Sequence, residues 1–184
     1  MALEKKDKKR LLELARGAVG CRLEGRDPEP LEPGDEALGR DRGAFVTLHL
    51  KGDLRGCIGN FTCPGPLAET VRQMAGAAAF EDPRFPPVCS LKELSECDIE
   101  ISCLTPLVET DPEEIEVGRH GIYIVKGFNR GVLLPQVAPE QGWDRETFLD
   151  QTCLKAGLKP GCWRDPEAKV MTFEADVFGE NDLD

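Results

Sequence analysis

Histidine is scarce in this chain: His49 and His120 are the only two among 184 residues, so a thiol that needs an imidazole base at neutral pH has two candidates at most. Basic side chains are also the minority, 23 against 34 acidic. The resulting net charge of −11 argues against a nucleic-acid or anionic-membrane partner, whose phosphates such a chain repels, although a locally basic cleft remains compatible with it. No run approaches the roughly 20 apolar residues needed to span a bilayer. Met1 to Arg10 is charged rather than an apolar secretory core, so a cytoplasmic location without a membrane is expected. Missing too are GxGxxG, a Walker lysine loop, a GxSxG elbow and HExxH, which removes the usual sequence support for nucleotide hydrolysis and the common hydrolase routes. The eight cysteines contain no short CxxC knuckle and no three-cysteine cluster of the iron–sulfur kind, so no metal or cofactor is expected. A site made of Cys57, His120 and Glu140 would have to be assembled by the fold. With no secretory signal, Cys21, Cys57, Cys63, Cys89, Cys97, Cys103, Cys153 and Cys162 are all read as reduced thiols.

What the chain does contain is a run, Asp53-Leu54-Arg55-Gly56-Cys57-Ile58-Gly59-Asn60, that sets one cysteine between two glycines with an arginine two residues before it. Flanking glycines permit φ > 0 or close backbone approach and remove the neighbouring Cβ atoms that would shield the thiol. A nearby guanidinium favours a thiolate. The plainer reading is that Cys57 is a small apolar residue in a strand whose glycines allow close packing.

The length suits one domain, here residues 1–178, with 179–184 as an acidic frayed tail. Leu11, Leu14, Ala15, Ala18 and Val19 predict an amphipathic helix within 3–23. The segment from Asp27 to Asp41, with Pro28, Pro30, Pro33 and Gly34, predicts a surface loop. Ala44, Val46, Leu48 and Leu50 alternate with polar positions as in a strand, and Lys51-Gly52-Asp53 predicts a turn that returns the chain into Leu54 to Phe61. Pro64-Gly65-Pro66 leads into a helix carrying Leu67, Val71, Met74, Ala75 and Ala78, which Asp82-Pro83 ends. Ser90 with Glu93 fits a capping box. Cys97, Ile99, Ile101 and Cys103 predict one strand face, with Asp98, Glu100 and Ser102 toward water. A second hairpin is predicted with its turn at Phe128-Asn129-Arg130-Gly131, and Asp144 is predicted to cap a helix to Ala156. Met171, Phe173, Ala175 and Val177 predict one last strand. Hairpins separated by helices favour an α+β fold with a largely antiparallel sheet.

His49 alternates on the polar side of its strand and is read as a surface residue. His120 stands beside Gly121 at the entrance to a strand, where a site role and a turn-stabilising hydrogen bond are both open. Arg84, framed by Pro83, Pro86 and Pro87, suits a carboxylate or phosphate, or else pairs with Glu81 or Asp82. Arg55 is either an anion clamp or a strand-edge charge. Gln136 and Glu140 each suit an acid, a ligand or a structural hydrogen-bonding role, the last being favoured for Gln136.

Four segments, Leu54 to Gly59, Phe80 to Pro87, His120-Gly121-Ile122, and Leu133 to Ala138 followed by Glu140-Gln141 and Trp143, occur in an order that resembles the AMMECR family. Its bacterial and archaeal members look like protein A of the AmmeMemoRadiSam system. The likeness covers about residues 10–178. Asn60 departs from it, since many members carry a small hydroxyl residue there. The resemblance implies an α+β fold of two unequal lobes around a cleft lined by the signature residues. It also implies association with a Memo-like protein and a radical S-adenosylmethionine enzyme. Two functional expectations follow. In the first, the chain is a thiol-using enzyme for a small anionic substrate, with Cys57 as nucleophile or redox thiol, His120 as base, Glu140 as a further catalytic group, and Arg55, Gly56, Gly59, Arg84 and Gln136 holding the substrate. In the second, it is a non-catalytic accessory protein that holds a small-molecule or peptide ligand for chemistry done elsewhere.

Overall fold

The structure, a computed structural model, describes residues 3–32, 34–39, 42–61 and 65–182, with backbone alone at 36 and 37. Pro33, Asp41, Cys63, Pro64 and the last two residues of the acidic tail, which figure in the sequence reading, lie outside the described residues. In chain order the elements are α1 (Lys5–Leu23), β1 (Ala44–Leu50), β2 (Asp53–Asn60), α2 (Leu67–Phe80), α3 (Leu91–Ser95), β3 (Cys97–Leu104), β4 (Val108–Glu109), β5 (Gly121–Lys126), β6 (Asn129–Leu133), α4 (Val137–Gln141), α5 (Arg145–Lys155), β7 (Lys169–Phe173) and β8 (Ala175–Gly179). The fold is α+β with two four-stranded antiparallel sheets, ordered β2-β1-β3-β8 and β4-β7-β5-β6. The chain divides into two compact units, Met1–Leu104 with Asp176–Asp184, and Thr105–Ala175.

In the first unit, Glu4 and Asp7 form a reciprocal capping box that starts α1, satisfying backbone donors that have no partner inside the helix. The helix buries Leu11, Leu12, Ala15, Ala18 and Val19. Leu11, Leu12, Ala15 and Val19 pack in one core with Leu67, Val71, Ala75 and Ala78 of α2 and with Ala44, Val46, Leu48, Ile99 and Ile101 of the sheet. The hairpin between β1 and β2 closes through Lys51 at φ 55° and Gly52 at φ 88°, the pair of positive values that matches the twist of the flanking strands. Ser102, expected to face water, is buried at the pairing position opposite Phe45.

In the second unit, α5 lays Phe148, Leu149, Thr152 and Cys153 against a core that includes Ile122, Ile124 and Val170. At Gly131 the helix end comes so close that an added Cβ would lie 2.5 Å from the Ala156 nitrogen, so only glycine fits. Cys153 and Cys162 form a disulfide, which corrects the expectation that every cysteine is a free thiol. Nine residues of separation and a Cα–Cα distance of 5.9 Å bring the two sulfurs within bonding geometry once α5 ends and the chain turns back.

Two further expectations shift. The hairpin turn falls at Gly127-Phe128 rather than at 128–131, because Gly127 supplies the positive φ of 58° and Lys126 pairs directly with Asn129. The single last strand is divided at Glu174 into β7 and β8, which lie in different sheets. Thr105 causes the break: its N–H donates to the Glu174 carbonyl at 2.9 Å, and its hydroxyl accepts the Glu174 N–H at 2.8 Å. The buried positions also differ from the expected alternation: in β7 Val170 and Thr172 are buried beside Phe173, and in β8 Phe178 is buried while Val177 is exposed. No helix among the described residues is long and apolar enough to cross a membrane.

Candidate functional site

Cys57 lies on β2 opposite Thr47 of β1, half-buried, and its sulfur accepts a hydrogen bond from the Thr47 hydroxyl at 3.3 Å. The glycines beside it serve packing. A Cβ on Gly56 would fall 2.2 Å from the carbonyl oxygen of Ala78 in α2, and one on Gly59 would fall 2.2 Å from the Phe45 ring. Gly56 thus admits the helix to the strand, and Phe45 covers the gap that Gly59 leaves on the other face.

β2 is an edge strand, and the segment after α2 closes its edge beside Cys57. The Cys57 N–H donates to Asp82 Oδ2 at 2.9 Å, while Arg84 Nη2 donates to the Cys57 carbonyl at 3.2 Å. Asp82 also accepts from the Arg84 backbone at 3.1 Å, from Arg84 Nε at 2.9 Å and from Arg84 Nη2 at 2.7 Å. A carboxylate and a guanidinium therefore stand in for the neighbouring strand that the edge lacks, with both peptide groups of Cys57 engaged. The Asp82 side chain is 2% exposed. The Arg84 guanidinium, helped by the Cys57 and Arg84 N–H groups, holds its carboxyl well below the usual range, and Asp82 in turn raises the pKa of Arg84. Arg84 lies 5.4 Å from the Phe85 ring centroid, which steadies the outward side of the guanidinium.

Arg55 is engaged through two of its three guanidinium nitrogens, Nη1 being buried with no hydrogen-bond partner among the described residues. Its Nε and Nη2 bind Glu93 Oε1 at 2.9 and 2.8 Å, with both side chains largely buried. The other oxygen of Glu93 accepts the Cys89 N–H at 3.0 Å and the Cys89 thiol at 3.3 Å. These contacts, the Cys89 N–H foremost, lower the Glu93 pKa. Ser90 caps α3 by accepting the Glu93 N–H, but the Glu93 side chain turns to Arg55 and Cys89, so only half of the expected capping box forms.

His120, Gln136 and Glu140 belong to the second unit, whereas Arg55, Gly56, Cys57, Gly59 and Arg84 belong to the first. The Nδ1 atom of His120 accepts the Glu116 N–H at 3.1 Å and the backbone N–H of His120 donates to the Glu116 carbonyl at 3.0 Å, the turn-stabilising hydrogen bonds. In the neutral ring this assigns the proton to Nε2. His120 also lines a hollow of about 540 Å³ in which Arg119 bridges Glu174 at 2.8 Å and Glu116 at 3.0 Å. Glu140 is exposed and Gln136 precedes α4 without a capping bond from its side chain; neither lines that hollow. His49 is half-buried, paired across the sheet with Asp98. Among the described residues no group of three His, Cys, Asp or Glu side chains is placed to hold a metal ion.

A model of the AMMECR1 family matches residues 12–178. The chain belongs to the AMMECR1 family. A relative in Methanothermobacter thermautotrophicus is 44% identical over 190 residues, covering 97% of each chain. One in Thermococcus gammatolerans is 49% identical over 183 residues, covering 92% of this chain and 88% of the relative. The crystal structure of the uncharacterised protein PH0010 from Pyrococcus horikoshii is similar at 43% identity with a TM-score of 0.80, over 98% of this chain and 95% of that one. Within this family member, the part of the site that sequence reasoning weighed least is Asp82. Its signal was the helix-ending Asp82-Pro83 followed by Arg84, and Asp82 rather than Glu81 takes the arginine because Glu81 is turned to Arg22 at 2.8 Å.

Proposed function

We propose that this chain is a non-catalytic accessory protein that presents the Cys57 strand and its Asp82-Arg84 clip as a recognition surface. The partners that the family resemblance points to are a Memo-like protein and a radical S-adenosylmethionine enzyme. The observation that carries this reading is the engagement of both guanidiniums near the thiol: Arg84 binds Asp82 and the Cys57 carbonyl, and Arg55 binds Glu93. A cation held by a protein carboxylate has its charge already balanced, which suits fixed presentation of a strand better than capture of an anionic substrate. Arg84 keeps one half-exposed face for a partner while its bonds fix its direction. Titration of the full chain with each of the two partner proteins tests the proposal: a complex at micromolar concentration supports it, and no complex with either removes it.

A second reading has one observation in its favour, the half-buried Cys57 sulfur with the Thr47 hydroxyl aimed at it. In that reading the thiol does chemistry on a bound molecule. Alkylation of folded protein discriminates, since a sulfur that resists a small alkylating reagent cannot serve as a nucleophile.

A further inference from the structure

The tip of the β5–β6 hairpin carries Phe128 at 99% exposure, a large apolar side chain with no cover from its own chain. The two-residue turn fixes where it stands, since Lys126 pairs with Asn129 directly behind it. Register places two cations in the row behind the turn: Arg130 and Lys169 both stand opposite Val125, across β6, β5 and β7. Ile124, one residue back, is fully buried, so this row lies on the face turned away from the core. Arg130 and Lys169 are exposed and carry no ion pair among the described residues. Aromatic and arginine side chains together are the types enriched at interfaces, here on a chain whose net charge is −11.

The complementary shape is present in the same unit. The hollow of about 540 Å³ has Val108, 60% exposed, on its apolar side, where Phe173 is buried at 2% exposure, and Glu114, Glu116 and Glu174 on its acidic side. Arg119 balances part of that charge through Glu116 and Glu174, while Glu114 has no cationic partner among the described residues. The hollow includes His120, at the start of β5, and Phe128 lies beyond its end. Six strand residues at roughly 3.3 Å each hold the two features about 20 Å apart on one rigid element, so a chain cannot fill its own hollow.

We infer that the chain self-associates head to tail, the Phe128 ring of one copy entering the hollow beside Val108 of the next while Arg130 and Lys169 meet its glutamates. Such a contact is heterologous: two copies joined by one knob and one hollow leave one of each unfilled, so assembly grows until it closes into a ring or continues as a chain. This goes beyond the accessory role, and neither depends on the other.

The test uses light-scattering mass on the full chain up to about 1 mM, a concentration that detects even weak association. The mass of the unaltered chain is expected to rise with concentration. Phe128→Ala removes a side chain that makes no packing contact, so the fold is retained and the mass is expected to stay that of one chain. Val108→Arg, at an exposed position, blocks the hollow with a cation and is expected to do the same. An equimolar mixture of the two variants then decides the geometry, because the first keeps its hollow and the second keeps its knob: the mixture is expected to form a complex of two chains and stop there. A monomer at all concentrations, association that survives either substitution, or a mixture that stays monomeric overturns the inference.

Discussion

Asp82 is the residue on which the Cys57 region turns. Nearly buried, it accepts four hydrogen bonds from three donor groups, one of them the Cys57 peptide. Asp82→Asn keeps the shape but removes the charge and turns one acceptor into a donor facing other donors, so it is expected to cost about 1–3 kcal/mol in urea unfolding at pH 7. The sign of its pH dependence follows from its lowered pKa. The charged form is favoured in the folded chain, so its contribution is complete above the ordinary aspartate value of 3.8 and disappears as pH falls through the lower folded value. The difference in stability between the unaltered chain and Asp82→Asn is therefore expected to shrink from pH 5 towards pH 2, and a constant difference would refute the assignment. Gly56 makes a second demand at this scale. Gly56→Ala forces a methyl group against a backbone oxygen that cannot rotate away, so a loss of about 1–3 kcal/mol is expected from the same unfolding measurement.

At the scale of elements, the clearest signals in the sequence were periodic ones. The stripe from Leu11 to Val19 and the alternation from Ala44 to Leu48 both mark faces that are buried, since each follows from burying one side of a single element. The boundaries that shifted depend on partners far along the chain. Nothing local to Glu174 announces that Thr105 takes both of its peptide groups, and Cys153 with Cys162 form a pair only because α5 ends where it does. The same holds for the candidate site: the pairing of Arg84 with Asp82 could be weighed from adjacency, whereas Glu93 lies 38 residues from Arg55 and the Thr47 hydroxyl meets the Cys57 sulfur only through strand register. The disulfide has a measurable consequence. It fastens the end of α5 to the turn bearing Trp163, whose Nε1 donates to Asp150 at 2.8 Å. Closing a loop of this length is worth about 2–3 kcal/mol, so Cys162→Ser is expected to lower stability by that amount with an accompanying change in Trp163 emission. An unchanged unfolding midpoint under oxidising conditions would show that the link adds nothing.

At the scale of the whole molecule, the chain unites a family signature with side chains that mostly hold one another. The carboxylates of Asp82 and Glu93 pair with the guanidiniums of Arg84 and Arg55 around β2, with Arg55 Nη1 buried and without a hydrogen-bond partner among the described residues, and the imidazole of His120 secures a turn in the second unit. Such pairs rigidify a surface, which is the property that a docking protein needs and that lowers the ordering cost of association. The strand clip and the thiol thereby make separable predictions, because the clip shapes the surface whether or not the sulfur reacts. The most direct test is side-by-side titration of the Memo-like protein with the unaltered chain, Cys57→Ser and Asp82→Asn, each verified as folded by near-ultraviolet circular dichroism. The account predicts that Cys57→Ser binds as tightly as the unaltered chain and that Asp82→Asn binds at least about tenfold more weakly, a difference of about 1.4 kcal/mol. Loss of binding in Cys57→Ser together with full binding by Asp82→Asn would contradict it and return the thiol to the centre of the function.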